Sequence, residues 1–484
     1  MLSFVCDYLE GAHPKIPERL VQTNLERLSG PRHRNPGTGI RRSPWEFALI
    51  LLILKNYLKM MDRIILKNIK TLDGNLRDIA VADGKIAKIV PAGTLRTEAA
   101  SGVELLDCSG KVAVPGFVNM HTHAAMSLMR GVGEDMVLQD WLAHIWEIEA
   151  KLDGEFIRRG TKVAALEMVK TGTTTFNDQY FFADEASEAA SSLGIRNAIS
   201  YVFLDHLDPE ESAREKEQCL KSFEKAREWN PLSIFTVGIH AIYSVSEELI
   251  RWATEFARKN GLKIHMHVAE SEREDLDCKA AHGGLSPVEY LDRLGVLGPD
   301  LIAAHALWLS EKDIELLGAH GVHCVHNINS NTKLSSGYKF KWKELSEAGA
   351  NVCLGTDGCA SSNNLDMLEV LKTTAIFQKA WRKDPSALPL PTLLDMATVN
   401  GAKAFGLHTG VIAEGYDADI QIVDTDNTFF LSPGPFLANF IYSAHSDCIS
   451  SLIAGGRFVM RDRIVPGERQ ILADARKVLD EIKK

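Results

Sequence analysis

VPGFVNMHTHAAM, at residues 114–126, runs as a buried apolar strand into two histidines. Successive residues of a strand face opposite ways, so His121 and His123 point to the same side. Two imidazoles on one face make a natural start for a Zn²⁺ or Fe²⁺ site. An HxH pair alone is weak evidence, because structural or chance occurrence accounts for most such pairs. The fold and the function therefore depend on what surrounds this stretch.

Further stretches along the chain share this apolar character, and helical stretches such as 156–172 separate them. The full set is GFVNMHTH, TTTFNDQ, RNAISYVFL, FTVGIHA, LKIHMHVAE, LIAAHALW, VHCVHN and NVCLGTDG. A series of eight strand-then-helix units predicts an α/β fold, namely a (β/α)8 TIM-type barrel over residues 115–410. Reactive side chains in that fold lie at the C-terminal ends of the strands, and the polar residues of these stretches fall there.

Both ends of the chain are rich in short strands. Residues 60–114 alternate apolar and polar side chains and contain Asp83-Gly84, a pair that hairpin turns favour. A similar strand-rich segment covers residues 411–470, and a helix is expected at 471–484. Two strand-rich ends around a different middle predict one small β-sandwich domain assembled from both ends of the chain.

Composition and charge limit the classes of molecule that the protein is expected to bind. The formal net charge is −10, which argues against binding to nucleic acid or to an anionic membrane. Residues 1–59 lack periodicity, so we interpret them as a loop-like extension or a non-native start. Their apolar run at 47–54 is far shorter than the ~20 residues that span a bilayer. The cysteines form no CxxC pair, which indicates free thiols in a reducing cytoplasm. We expect a small-molecule substrate, and whether the chain forms a homo-oligomer stays open.

Polar side chains also end several later strands. HMHVAESE places His265 and His267 on one strand, with Glu270 at its end. His305 ends the next stretch, and Asp357 ends NVCLGTDG. A core histidine satisfied by the backbone explains one such case, but it explains the whole series poorly.

The order HTH, HxHxxE, AAH and GTDG resembles the amidohydrolase superfamily, from about Asp62 to the C-terminus. It is most similar to the mononuclear deaminase branch, which includes S-adenosylhomocysteine/methylthioadenosine deaminases, guanine deaminase and triazine chlorohydrolases. The resemblance implies one divalent metal ion, zinc with iron as the alternative. By the same resemblance the metal ligands are His121, His123, His267 and Asp357. His265 is expected to be structural.

The resemblance also implies catalytic roles for Glu270, His305 and Asp357. A divalent metal lowers the pKa of bound water toward ~7. Asp357 can accept the proton of that water, and His305 can hold it by hydrogen bonding. Glu270 can protonate a ring nitrogen beside the attacked carbon. His240 stands where binuclear members carry a bridging lysine, which favours a single metal.

Three residues match substrate contacts of the deaminases. Trp141 matches a tryptophan that stacks on the purine, Glu149 a glutamate that binds ribose hydroxyls, and His240 a substrate-binding histidine. The spacing from Trp141 to Glu149 is one residue shorter than expected. Core packing for Trp141 and a solvated helix face for Glu149 are the alternatives.

Other positions depart from the deaminase pattern. Tyr201 stands where an arginine contacts the nucleoside, and HNINSN at 326–331 lacks the usual proline. Both changes leave substrate identity open. Asn331 and Lys333 are interpreted as loop scaffolding.

The leading hypothesis is a hydrolytic deaminase of a heterocyclic amine, namely a purine nucleoside or nucleobase. A triazine or pterin amino- or chlorohydrolase is the alternative within the same mechanism. Glu270 argues against pure dechlorination, because chloride leaves without a proton. A non-catalytic scaffold is the alternative of another class, although such a protein has no need of a complete metal set.

Overall fold

The computed structural model describes residues 63–95 and 103–482. Three sequence-based predictions concern residues outside these ranges. They are the extension at residues 1–59, its apolar run at 47–54 and the start of the β-domain at residue 60. No helix within the described ranges is long and apolar enough to cross a bilayer.

Eight parallel strands form one sheet, hydrogen-bonded in the order of the chain. They are β6 (Phe117–Thr122), β7 (Thr173–Gln179), β8 (Arg196–Phe203), β9 (Ser233–Ile239), β10 (Ile264–Val268), β11 (Leu301–His305), β12 (His323–His326) and β13 (Asn351–Leu354). Each of the eight stretches singled out in the sequence forms one of these strands. The prediction of an α/β fold with a parallel TIM-type barrel is therefore confirmed.

The first and last strands of this sheet are joined through side chains and turn backbone. The backbone N–H of Asp357 donates to the carbonyl of His121 at 2.9 Å. Asn119 accepts from the backbone of Thr356 at 3.1 Å and donates to its hydroxyl at 2.7 Å. These bonds bring the segment after β13 against the end of β6.

Helices fill the connections between the strands. They are α1 (Leu138–Glu149), α2 (Gly154–Lys170), α3 (Ala183–Ser191), α4 (Pro209–Ala226), α5 (Glu247–Lys259), α6 (Glu272–Ala281), α7 (Pro287–Leu294), α8 (Glu311–Ala319), α9 (Ile328–Lys333), α10 (Trp342–Ala348), α11 (Cys359–Ser362), α12 (Met367–Arg382), α13 (Leu390–Met396), α14 (Val399–Phe405), α15 (Phe436–Tyr442) and α16 (Glu468–Ile482). Three short 3₁₀ helices occur at Ala124–Met129, Thr428–Phe430 and Ser446–Cys448.

Helix α5 illustrates why these segments are helical. The Ser246 side chain accepts from the backbone of Leu249 and caps the first turn, while Arg258 and Lys259 lie in the last turn. Its buried residues repeat at helical spacing: Leu249, Ile250, Ala253, Thr254, Phe256 and Ala257. This apolar face packs into the main core of the barrel.

A second, mixed sheet combines strands from both ends of the described chain. They are β1 (Arg63–Lys70), β2 (Leu76–Ala82), β3 (Lys85–Pro91), β4 (Val103–Asp107), β5 (Lys111–Pro115), β14 (Ile420–Asp424), β15 (Ile449–Ala454) and β16 (Arg457–Met460). β5 pairs antiparallel with β14, which joins the two ends. Asp83 and Gly84, with φ of 52° and 78°, form the predicted tight turn between β2 and β3. The sheet encloses an apolar core of its own. The predicted domain boundaries stay predictions.

The passage from the mixed sheet into the barrel takes one residue, Gly116. A Cβ at this position would lie 2.3 Å from the hydroxyl of Thr174, so glycine is required for this close approach. Arg196, at the start of β8, reaches back to the carboxylates of Asp417 and Asp419 just before β14. These ion pairs fix the N-terminal end of the barrel, and the opposite end carries the polar cluster.

Candidate active site

The side chains that end the barrel strands meet at one mouth. His121 lies in β6, His267 in β10 and His305 at the last position of β11. His123 and Asp357 follow the ends of β6 and β13. Potential ligand atoms lie within 4.8 Å of one another in two overlapping groups. The first is His121, His123 and His267, and the second is His121, His305 and Asp357.

The protonation of two of these histidines follows from their partners. Nδ1 of His123 lies 2.6 Å from the carbonyl oxygen of Gln179, and Nδ1 of His267 lies 2.8 Å from that of His240. A carbonyl only accepts, so each Nδ1 carries the proton and each Nε2 presents a lone pair. The two Nε2 atoms are 3.3 Å apart. A carboxylate oxygen of Asp357 lies 3.3 Å from Nε2 of His123.

Three acceptors that face one another at this distance repel unless a cation lies between them. Ligands at 2.0–2.1 Å from a tetrahedral ion are separated by about 3.3 Å, which is the spacing found. The donor set therefore fits a divalent metal. The lone pairs of the three groups converge on one position.

His121 completes this group. It is fully buried, and its Nε2 has no hydrogen-bond partner although it lies 3.6 Å from a carboxylate oxygen of Asp357. Burial holds the pKa of both His121 and His267 well below the usual histidine range, so both rings are neutral, as ligation requires. Nδ1 of His121 is 2.8 Å from Nε2 of His265, which lies behind the group.

Glu270 and His305 lie beside the acceptor group. Nε2 of His305 is 3.7 Å from a carboxylate oxygen of Glu270 and 3.9 Å from one of Asp357. Burial, reinforced by the charge of Asp357, raises the pKa of Glu270 well above its ordinary value. The raised pKa favours the protonated form of Glu270, which can donate a proton.

Asn331 determines which nitrogen of His305 carries the proton. Its amide Nδ2 donates to Nδ1 of His305 at 2.9 Å and to the hydroxyl of Ser336 at 3.0 Å. Burial lowers the pKa of His305 to about 4, so the ring is neutral and its proton is on Nε2. The interpretation of Asn331 as loop scaffolding is wrong, because it lies on helix α9 and contacts His305. Lys333, on the same helix, contacts Glu134 at 3.0 Å across the mouth.

Two residues of the mouth adopt uncommon backbone conformations. His305 and Asp357 have φ of 72° and 66°, in the left-handed region that non-glycine residues rarely occupy. Such strain is retained where the surroundings hold a functional side chain in place. The sequence gives no sign of it, because neither position is a glycine.

A cavity, which we call the inner cavity, opens over this group. The three predicted substrate residues line it, together with His123, His267, Glu270, His305 and Asp357. Trp141 is buried, and its indole Nε1 has no hydrogen-bond partner. Glu149 is half-buried and faces the cavity, where the hydroxyl of Tyr180 donates to it at 2.6 Å. The alternative of a solvated helix face for Glu149 is therefore wrong.

His240 follows β9, and both its ring and its backbone carbonyl contribute to the site. Its carbonyl accepts from His267, and its Nδ1 lies 2.6 Å from the hydroxyl of Ser244. Burial lowers the pKa of His240 to about 3, so the ring is neutral. The ring lines the cavity beside Trp146, at 6.0 Å between centroids.

Glu274 is a further site residue that sequence analysis missed. Its two carboxylate oxygens accept from the backbone N–H groups of Ala269 and Glu270, at 3.0 and 2.8 Å. These bonds hold the turn in which Ala269 adopts a φ of 51°. The only sequence signal is the spacing of four residues from Glu270, which an ordinary helix surface also produces.

Comparison with known proteins agrees with this geometry. The sequence profile of the amidohydrolase family matches residues 112–459. The chain belongs to the amidohydrolase family. As an amidohydrolase, it is a hydrolase that acts on C–N bonds. A 5'-deoxyadenosine deaminase from Methanoregula boonei is 43 % identical over 373 residues, which cover 77 % of this chain and 84 % of that protein.

Two further similarities cover more of this amidohydrolase. A 5-methylthioadenosine/S-adenosylhomocysteine deaminase from Archaeoglobus fulgidus is 39 % identical, over 84 % of this chain and 96 % of that protein. The crystal structure of an adenosine deaminase from Xanthomonas campestris, with bound zinc, has a TM-score of 0.80 and 32 % identity. It covers 87 % of this chain and 98 % of that chain.

Proposed function

We propose that this amidohydrolase hydrolyses the exocyclic amine of an adenine nucleoside, using one divalent metal ion, and that this ion is zinc. A single observation carries the proposal. A buried Glu270, whose raised pKa favours the protonated form, stands beside converging metal-binding lone pairs in the wall of the inner cavity. The deaminases of 5'-substituted adenosines among its relatives support the choice of substrate.

The metal would be held by His121, His123, His267 and Asp357. Three imidazoles and one carboxylate suit zinc, and iron(II) is the alternative that the same donors accept. When bound, the ion would lower the pKa of a coordinated water molecule toward ~7.

The protein's own groups then move the protons. Asp357 accepts a proton from the attacking water, while the Nε2–H of His305 donates a hydrogen bond to its oxygen. Glu270 protonates the ring nitrogen beside the attacked carbon. When the C–N bond breaks, the departing amine takes the proton from Asp357 and leaves as ammonia. The new hydroxyl returns its proton to Glu270, which restores the starting state.

Three side chains would orient the nucleoside. The face of Trp141 would stack on the adenine, and the neutral ring of His240 would contact its edge. Glu149, already held by Tyr180, would accept hydrogen bonds from the ribose hydroxyls. Tyr201, which stands where the deaminases carry an arginine, is not among the residues that line the inner cavity.

Ammonia release tests the proposal. Purified protein with zinc restored should release ammonia from 5'-deoxyadenosine and 5'-methylthioadenosine, and a chelator should stop it. Guanine, a pterin and an aminotriazine serve as comparison compounds. Turnover of the triazine or the pterin without turnover of any nucleoside would favour the alternative. The absence of turnover with all five compounds would favour the non-catalytic scaffold.

We also propose that the protein works in the cytoplasm. All seven cysteines within the described ranges are buried and free, as in a reducing compartment. Fractionation of the native cell, followed by immunodetection, tests this directly.

A further inference from the structure

The inner cavity does not end at Glu149. Beyond it lies an outer chamber, which we define as the space between the C-terminal end of α1, the segment after β7, the end of β8, and α4. The two spaces share a wall made by Trp146, Glu149, Tyr180, Phe181, Val202 and Leu204. If Glu149 holds the ribose, as proposed above, groups on the 5' carbon of the nucleoside point into the outer chamber.

The cations of the outer chamber are already paired. Arg214, Lys221 and Lys225 line it, and their side chains are at least 65 % exposed. The pairs are Arg214 with Glu211 at 3.4 Å, Lys221 with Glu217 at 2.6 Å, and Lys225 with Asp184 at 3.4 Å. Exposed, screened cations of this kind offer little attraction to an incoming carboxylate.

The chamber also contains a carboxylate without a cationic hydrogen-bond partner. Glu215 lines the chamber, and its bonding partner is the hydroxyl of Tyr201, which donates at 2.9 Å. Burial raises the pKa of Glu215 to about 7, with smaller contributions from Asp205 and Glu211. Burial also means that a charge on Glu215 is less screened than the charges of the rim.

Part of the chamber wall is aromatic. Phe181 and Phe182 face the chamber, and Phe182 remains 46 % exposed. Aromatic faces of this kind pack well against a methyl, a methylthio or an alkyl chain. The chamber thus combines an aromatic stretch of wall with the half-buried carboxylate of Glu215.

We infer that the outer chamber selects 5' substituents that are uncharged or that carry an amine, and that Glu215 disfavours those that carry a carboxylate. The inference rests on the proposed nucleoside deamination and adds a specificity determinant to it. Tyr201 is the positioning residue, because its hydroxyl holds the carboxylate of Glu215 in the chamber.

Three adenosine thioethers with the same carbon chain test the inference. One carries a terminal 3-aminopropyl group, one a 3-carboxypropyl group, and S-adenosylhomocysteine carries both charges. The zinc-loaded full chain is assayed for ammonia release well above the pKa of Glu215, with 5'-deoxyadenosine as the uncharged reference. We expect kcat/KM for the amine to exceed that for the carboxylate by at least about tenfold.

The variant Glu215→Gln keeps the shape and the acceptor for Tyr201 but removes the charge. It should bring the ratio of amine to carboxylate toward one. Glu224→Gln is the matched control, since Glu224 lies on the same helix and pairs with Arg227, and neither residue lines the chamber. That variant should keep the wild-type ratio.

The outcomes separate the two proposals. Equal turnover of the amine and the carboxylate by the wild type, or a preference for the carboxylate, would overturn the inference while leaving deamination intact. An unchanged ratio in Glu215→Gln would overturn the role of Glu215. No ammonia from any of the four nucleosides, the reference included, would overturn the proposed function itself.

Discussion

The inner cavity and the outer chamber are neighbours, yet they are built in different ways. The inner cavity takes its reactive groups from strand ends, where the barrel fixes each backbone on both sides. The outer chamber takes most of its charged groups from helix α4, and the others lie on α1 and α3. Rigid strand ends suit bond breaking, and a helix face suits selection among substituents.

The two regions also differ in their electrostatics. In the inner cavity, carboxylates and imidazoles converge on a position for a cation, and burial keeps the rings neutral. In the outer chamber, most charges form ion pairs at the surface, whereas Glu215 accepts a hydrogen bond from the hydroxyl of Tyr201. Substitutions in the inner cavity should therefore act on turnover, while those in the outer chamber should act on the choice of substrate.

The largest effect is expected from a proposed metal ligand. His267→Ala removes one of the two imidazoles whose Nε2 atoms face each other at 3.3 Å. Metal content should fall and deamination should be lost, because the nucleophile depends on the metal. The control is His320→Ala, because His320 is an exposed histidine that directly follows α8 and pairs with Asp292. Full activity of the variant without bound metal, determined by elemental analysis, would contradict the assignment.

Glu270→Gln should give the next largest effect. It removes the proton donor without removing a proposed ligand, and positioned proton transfer typically contributes about 10²–10⁴-fold. We expect kcat to fall by roughly that factor, with metal content unchanged. The exposed Glu272→Gln, two residues along, should behave like the wild type. Loss of metal from Glu270→Gln would instead identify the glutamate as a ligand.

Asn331 should have a smaller effect, since it acts through His305. Asn331→Asp keeps the shape but replaces the donating amide by an accepting carboxylate, so the proton of His305 moves to Nδ1. Groups of this kind typically contribute about 10–100-fold. We expect that loss in kcat with little change in KM or metal content. A matching loss of thermal stability, with the activity per folded molecule intact, would indicate a purely structural role.

The role of Asn331 could not be predicted from the sequence, in contrast to the strands of the barrel. The eight strands and the residues at their ends followed from apolar stretches and the HTH, HxHxxE, AAH and GTDG motifs, because strand periodicity fixes which way a side chain points. Asn331 lies on a helix of six residues, in a segment that carries no such period. Glu274 and Glu215 are ordinary acidic positions of helices α6 and α4. Their roles come from the tertiary fold, which brings each to a partner that no sequence spacing defines.

Trp141 lines the inner cavity, but its substitution should change the affinity for substrate more than the turnover rate. Its face has no proton to transfer, and stacking of a base on an aromatic ring contributes roughly 1–3 kcal/mol. Trp141→Ala should raise KM for 5'-deoxyadenosine by about tenfold or more and lower kcat less. Trp141→Phe, which keeps an aromatic face, should recover most of the affinity. An unchanged KM in Trp141→Ala would remove the stacking assignment and weaken the case for a purine.

The smallest effect is expected from Tyr201→Phe, and it concerns the outer chamber alone. The Tyr201 hydroxyl stabilises the charged form of Glu215, so its removal should raise the pKa of Glu215 further above about 7, by roughly one unit. The groups that face Glu215 are otherwise unchanged: Asp205 and Glu211 as acids, and Arg214 as a base.

A raised pKa means that the charge of Glu215 appears only at higher pH. Near neutral pH, the preference for the amine over the carboxylate should therefore fall several-fold in this variant and should return as the pH rises through the new pKa. The ratio of the two kcat/KM values, measured across that range in both proteins, gives the shift directly. Identical pH profiles of the ratio would show that Tyr201 does not control Glu215, whereas turnover of 5'-deoxyadenosine reports separately on whether the inner cavity is intact.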